Sequence, residues 1–169
     1  MADPRDITNW LRLDERTVTS GQPSETQLMR IAALGVGYVV NLGLHTHKRA
    51  LADEAGTVAA LGMCYIHIPV AFDAPREEDF NRFLAALEVA QGVPLYVHCI
   101  LNARVSAFFY RYRREVLGWD YGAAYADMVR IWRPGGAWAA FIGDQASIDL
   151  PHQYAGQDYL LPGNFPPSG

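Results

Sequence analysis

The feature that most constrains this chain is one stretch, Leu95-Tyr96-Val97-His98-Cys99-Ile100-Leu101-Asn102-Ala103-Arg104-Val105-Ser106. An apolar run ends in His-Cys, and Arg104 follows after four intervening residues. Val105, Phe108, Phe109, Tyr112 and Val116 then keep helical spacing. The pattern predicts a buried strand, a tight loop and a helix, in that order. It sets a nucleophile at the mouth of the loop and a fixed cation at the start of the helix.

That arrangement suits attack on a phosphate. Backbone N–H groups of such a loop, with the partial positive charge of a helix N-terminus, make an anion cradle. The same field favours thiolate, the nucleophilic form of Cys. An Arg adds a planar fork that holds two phosphate oxygens at once. The plain alternative is a buried structural Cys with a surface Arg nearby, since free Cys is among the most buried residue types. The ordered set of strand, Cys99, Arg104 and helix favours the anion loop.

The rest of the chain alternates strands and helices. Trp10 and Leu11 read as packing anchors, and Thr17 to Ser20 as a short strand. Ser24 with Gln27 forms a capping-box pattern, and Leu28, Ile31, Ala32 and Leu34 give a helical face that Gly35 ends. Val36 to Leu42 and Met63 to Val70 predict two further strands, with a helix from Ala50 to Leu61 between them. A helix from Arg76 to Ala90 carries Phe80, Phe83, Leu84 and Leu87 on one face. Beyond the Cys loop and its helix, Asp120 to Trp132 and Ala137 to Ile142 read as helices on either side of Pro134-Gly135-Gly136. The expected fold is α/β, a central mostly parallel sheet of about four strands flanked by helices. Residues 1–142 are expected to form one domain, and 143–169 a Pro/Gly-rich tail or packed arm. Ligands of such sheets sit beyond the carboxyl ends of the strands, where Cys99 lies.

Composition narrows the partners. A net charge of −4 gives no nucleic-acid footprint, and two Cys build no disulfide framework and suit a reducing compartment. No signal peptide opens the sequence and no apolar run is long enough to cross a bilayer. A soluble cytoplasmic protein, touching neither membrane nor nucleic acid, is expected.

The His-Cys…Arg loop resembles that of cysteine-dependent protein phosphatases, which place five residues between Cys and Arg and a Ser or Thr after it. Here the spacer is four, without Gly, and Val105 follows. The chain is more similar to the small bacterial tyrosine-phosphatase-like family, the beta-lactamase-hydrolase-like phosphatases, once catalogued as a domain of unknown function. The matching pieces are Thr19-Ser20-Gly21-Gln22-Pro23, Val40-Asn41-Leu42, Tyr65 to Val70, Val97-His98-Cys99 with Asn102, Arg104 and Ser106-Ala107-Phe108, then Trp132, Pro134, Trp138 and Phe141. They span Thr17 to Ile142. The resemblance implies a phosphatase-type fold and a phosphoester substrate. It implies Cys99 as nucleophile, Arg104 as phosphate clamp and an acid from the loop after the third strand. A four-residue spacer is also similar to the active loop of rhodanese-type sulfurtransferases; His98 and the flanking pieces favour the phosphatase.

Within the loop, Ile100, Leu101, Asn102, Ala103 and Arg104 are the expected phosphate contacts. Asn tolerates the left-handed region better than other non-Gly residues, so Asn102 is the candidate turning residue. The equal alternative is a side chain bonding a neighbouring turn. His98 and Ser106 are supporting candidates, His98 by orienting the Cys region. Asp73 is the candidate acid, with capping of the next helix as its alternative, and Asp79 and Glu77 as rivals committed to that helix. His45 and His47 lack ligand spacing for a metal and read as a solvated rim with Lys48 and Arg49. Cys64 reads as a packed core thiol, with a redox-protecting disulfide to Cys99 as its alternative. The expectation is a phosphomonoesterase, of tyrosine or dual-specificity type, acting on a phosphorylated protein or small molecule through a cysteinyl-phosphate, with no metal or other cofactor. The alternatives are a sulfurtransferase using the same Cys, or a phosphate-binding pseudophosphatase.

Overall fold

A computed structural model describes residues 2–154. Its strands are β1 (Leu11–Arg12), β2 (Thr17–Ser20), β3 (Tyr38–Asn41), β4 (Cys64–His67) and β5 (Leu95–His98). Its helices are α1 (Glu25–Ala33), α2 (Glu54–Ala60), α3 (Glu77–Val89), α4 (Ala103–Glu115), α5 (Tyr121–Val129) and α6 (Ala137–Ile142). The strands form one sheet in the order β1-β2-β5-β3-β4, parallel except for the β1–β2 pair. The four expected strands are present, and β1 adds a short fifth. The Asp14 carboxylate takes the amides of Arg16 and Thr17 and so turns the chain from β1 into β2.

Strand alternation sorts the core into two layers. Val39 and Tyr96 face α1 and α2, packing with Leu28, Ile31 and Val58. Val40 and Val97 face the other way, onto Phe80, Phe83, Phe108, Trp132 and Trp138. The capping box of Ser24 and Gln27 starts α1, and Asp53 caps α2. The arm after α6 packs back at its described end: Tyr154 is buried, stacks on Trp132 and donates its hydroxyl to the Ile131 carbonyl at 2.8 Å. Residues 155–169 of the expected tail or arm lie outside the described residues.

This topology decides where the site lies. β5 is central, and its last residue, His98, pairs with Ser20 of β2 and Asn41 of β3. Cys99 therefore leaves the sheet at the middle of its carboxyl edge.

Candidate active site

The Cys99 loop is held from outside, one peptide after another. Cys99 donates its amide to the Ser20 carbonyl at 3.3 Å, continuing the β2–β5 ladder. Nδ1 of His98 lies 3.1 Å from the Cys99 carbonyl. The Ile100 carbonyl accepts from the Gln22 amide at 3.0 Å, and the Leu101 carbonyl from the Asn9 side chain at 2.9 Å. Gly21 permits the middle contact, because a Cβ there would sit 2.3 Å from the Ile100 oxygen. In a trans peptide the C=O and the next N–H point in opposite directions. Three carbonyls anchored outward turn the amides of Ile100, Leu101 and Asn102 the other way. Among the described residues, no acceptor takes the amides of residues 100–105.

Asn102 serves both of its expected roles. Its φ of 67° puts it in the left-handed region, where it closes the loop at the residue before α4. Its side-chain amide donates to the Asn9 carbonyl at 2.9 Å and to the Thr19 hydroxyl at 3.0 Å. Residues 99–103 are all buried.

Arg104 is buried as well, at 3 % exposure. Nη1 donates to the Val70 carbonyl at 2.8 Å, and the guanidinium lies over the Phe72 ring, 5.6 Å from its centroid. Its Nε is buried with no acceptor among the described residues. The loop after β4 is thus tied to Arg104 at Val70 and Phe72. Trp138 secures it further by donating to the Phe72 carbonyl at 2.6 Å. Asp73, the next residue, is exposed. It does not cap α3: Asp79 takes the Arg76 amide at 3.1 Å, and Glu77 pairs with Arg111 at 2.7 Å. The capping alternative for Asp73 therefore falls away, and both rivals are committed elsewhere.

Behind the loop lies a polar group that sequence reasoning missed. Glu54, on the first turn of α2, is buried and meets Nε2 of His98 at 2.7 Å. Its other oxygen accepts from the Gln22 side chain at 2.9 Å. Burial works against the carboxylate, but His98, with Gln22 and Tyr65, holds it below the ordinary value. The available signal was spacing: Glu54 precedes buried Val58 by four residues, so it lies on the inward face of α2.

Other candidates resolve simply. Ser106 donates its hydroxyl to the Ala103 carbonyl at 2.9 Å. The expectation of a packed core thiol at Cys64 is corrected. Cys64 is exposed, because it opens β4, an edge strand, at the opposite end of the sheet from Cys99. His45 stacks on His67 with ring centroids 3.7 Å apart and meets the Tyr65 hydroxyl at 2.8 Å. His67 Nε2 lies 2.7 Å from the Gly43 carbonyl, and burial pushes its pKa down. No group of three metal-ligating side chains occurs among the described residues. No described helix is long and apolar enough to cross a membrane.

No protein-family model and no curated protein matches the chain. Solved structures do. A DUF442 protein of Shewanella putrefaciens CN-32, named provisionally as a phosphatase, is 29 % identical with a TM-score of 0.74. The match covers 84 % of this chain and 93 % of that one. P. aeruginosa TpbA, solved with phosphotyrosine, is 23 % identical over 76 % of this chain and 75 % of its own, with a TM-score of 0.61. The S. cerevisiae PP-IP phosphatase SIW14, in complex with citrate, is 12 % identical over 74 % and 76 %, with a TM-score of 0.63. The chain has the fold of the cysteine-dependent phosphatases, and the structures it resembles are phosphatase-like proteins.

Proposed function

We propose that this protein is a cysteine-dependent phosphatase that hydrolyses a phosphomonoester through a cysteinyl-phosphate. The observation that carries the reading is the loop's anchoring. Three successive carbonyls are bonded outward, which leaves their partner amides and the buried Arg104 Nε for one anion. Donors fixed in this way need no rearrangement as charge develops on the transferring phosphoryl group.

In the first step the Cys99 thiolate attacks phosphorus. An S–P bond forms, the ester O–P bond breaks, and the leaving oxygen takes a proton from Asp73. In the second step water attacks phosphorus, Asp73 accepts its proton, and the S–P bond breaks to release inorganic phosphate. Arg104 and the loop amides hold the equatorial oxygens throughout. Resemblance to the TpbA–phosphotyrosine complex makes phosphotyrosine the first substrate to try.

The test offers an aryl phosphate and, separately, thiosulfate with cyanide to the wild type and to Cys99→Ser. The expected result is phosphate release by the wild type alone and no thiocyanate. Thiocyanate with a persulfide on Cys99 would assign the short loop to sulfur transfer instead. Anion binding without turnover would assign a pseudophosphatase.

A further inference from the structure

Glu54 does not cap its own helix, since Asp53 caps α2 by accepting from the Gly56 amide at 3.0 Å. It is 3 % exposed, and its partner His98 is fully buried. The His98 ring lies between two oxygens: Glu54 Oε2 at 2.7 Å from Nε2 and the Cys99 carbonyl at 3.1 Å from Nδ1. A carbonyl only accepts, so Nδ1 must carry a hydrogen. A second proton must then lie between Nε2 and the carboxylate. If the pair held one proton, a bare nitrogen would face an oxygen lone pair on one side of the ring.

We propose that Glu54 is a positioning residue that acts through His98 on the Cys99 loop. Its carboxylate takes Nε2–H, which fixes the ring with Nδ1–H on the Cys99 carbonyl. That bond fixes the first peptide of the loop, and with it the direction of the Ile100 amide. The anchoring of Ile100 and Leu101 comes from Gln22 and Asn9, so Glu54 governs the one loop carbonyl whose anchor depends on a proton. The proposal deepens the phosphate-loop reading and rests on it.

Gln at position 54 keeps its oxygen on the Gln22 side chain and donates its NH2 to Nε2, so His98 still bears Nδ1–H towards the Cys99 carbonyl, whereas Leu leaves Nε2 without a partner. Glu54→Leu should therefore loosen the Cys99 carbonyl bond, and Glu54→Gln should retain it. The groups facing the pair are Tyr65 and His67 of β4, Tyr96 of β5, Gln22 and Cys99. Burial raises both tyrosines, so they stay neutral, and His67 titrates in parent and variant alike.

The experiment measures inorganic phosphate binding calorimetrically at pH 7.5 in Cys99→Ser, alone and with Glu54→Leu or Glu54→Gln. The expected result is about tenfold weaker binding with Leu, the effect of losing one loop anchor, and parent-like binding with Gln. Equal weakening in both variants, or none in either, would overturn the proposal. A long-range 1H–15N spectrum of His98 in the wild type at pH 7 decides the matter if a variant does not fold or the parent binds no phosphate. Hydrogen on Nδ1 with a second proton at Nε2 supports the proposal, and a bare Nδ1 overturns it. Phosphate binding failing in the parent while the spectrum shows both protons would count against the phosphate reading alone.

Discussion

Two loops meet at Arg104, and they are built differently. The Cys99 loop is buried, and each carbonyl from Cys99 to Leu101 faces a partner outside it. The loop after β4 reaches Arg104 through the Val70 carbonyl and the Phe72 ring, but leaves Asp73 exposed beyond a single turn bond, Ala74 to Ala71 at 3.2 Å. The difference matches the two tasks proposed for them. Charge on a phosphoryl group always develops in the same place, so its donors gain from rigidity. Leaving oxygens differ between substrates, so an acid gains from a loop that can adjust.

The largest effect should break the comparison outright. Cys99→Ser should abolish turnover of an aryl phosphate while phosphate still binds, as initial rates and calorimetry would show; retained turnover would move the chemistry elsewhere. Asp73→Asn comes next. It should slow a tyrosyl phosphate by ~10²-fold or more and an activated nitrophenyl ester only slightly. Because Asp73 is exposed and caps nothing, its unfolding free energy should stay within ~0.5 kcal/mol of wild type. Equal slowing on both leaving groups would vacate the acid role.

Arg104→Lys should lower kcat by ~10²-fold, because Lys keeps the charge but loses the fork and its fixed geometry. A rate within a few-fold of wild type would show that the clamp is another group. Asn102 sharpens the comparison through stability. Ala there meets a left-handed cost of ~1–2 kcal/mol and also loses the bonds to Asn9 and Thr19. Gly loses only the bonds, so urea unfolding should find Asn102→Gly more stable than Asn102→Ala. The reverse order would mean that the φ of Asn102 is not what shapes the loop.

The smallest effect concerns pH. The folded value of Glu54 lies below its ordinary 4.5, so its contribution is complete above that value and is lost as pH falls through the depressed one. Chemical unfolding from pH 7 to 3 should show this loss in wild type, and Glu54→Gln should blunt it.

Much of this is legible in the sequence. The Ser24–Gln27 box, the Phe80–Phe83 face and the strand–Cys–Arg–helix order are local patterns, and each appears where its residues predict. Asn102 was legible because a tight loop without Gly leaves few residues able to take positive φ. The anchors were not. Asn9 and Gln22 bond the loop across 92 and 78 positions, and no local period encodes such pairs. Glu54 sits in an ordinary first turn, where a carboxylate is expected to serve the helix dipole in solvent. Only the packing of α2 against the carboxyl edge of the sheet carries it to His98. The misread Cys64 has the same origin: nothing in its neighbourhood says that β4 is an edge strand.

The central claim is that Cys99 carries phosphate, and rapid acid quench of the wild type with a 32P-labelled aryl phosphate tests it most directly. Label should be bound to protein within one turnover, mapped by peptide mass spectrometry to Cys99 and absent from Cys99→Ser. Phosphate release with no labelled protein, or label on any other residue, would contradict it.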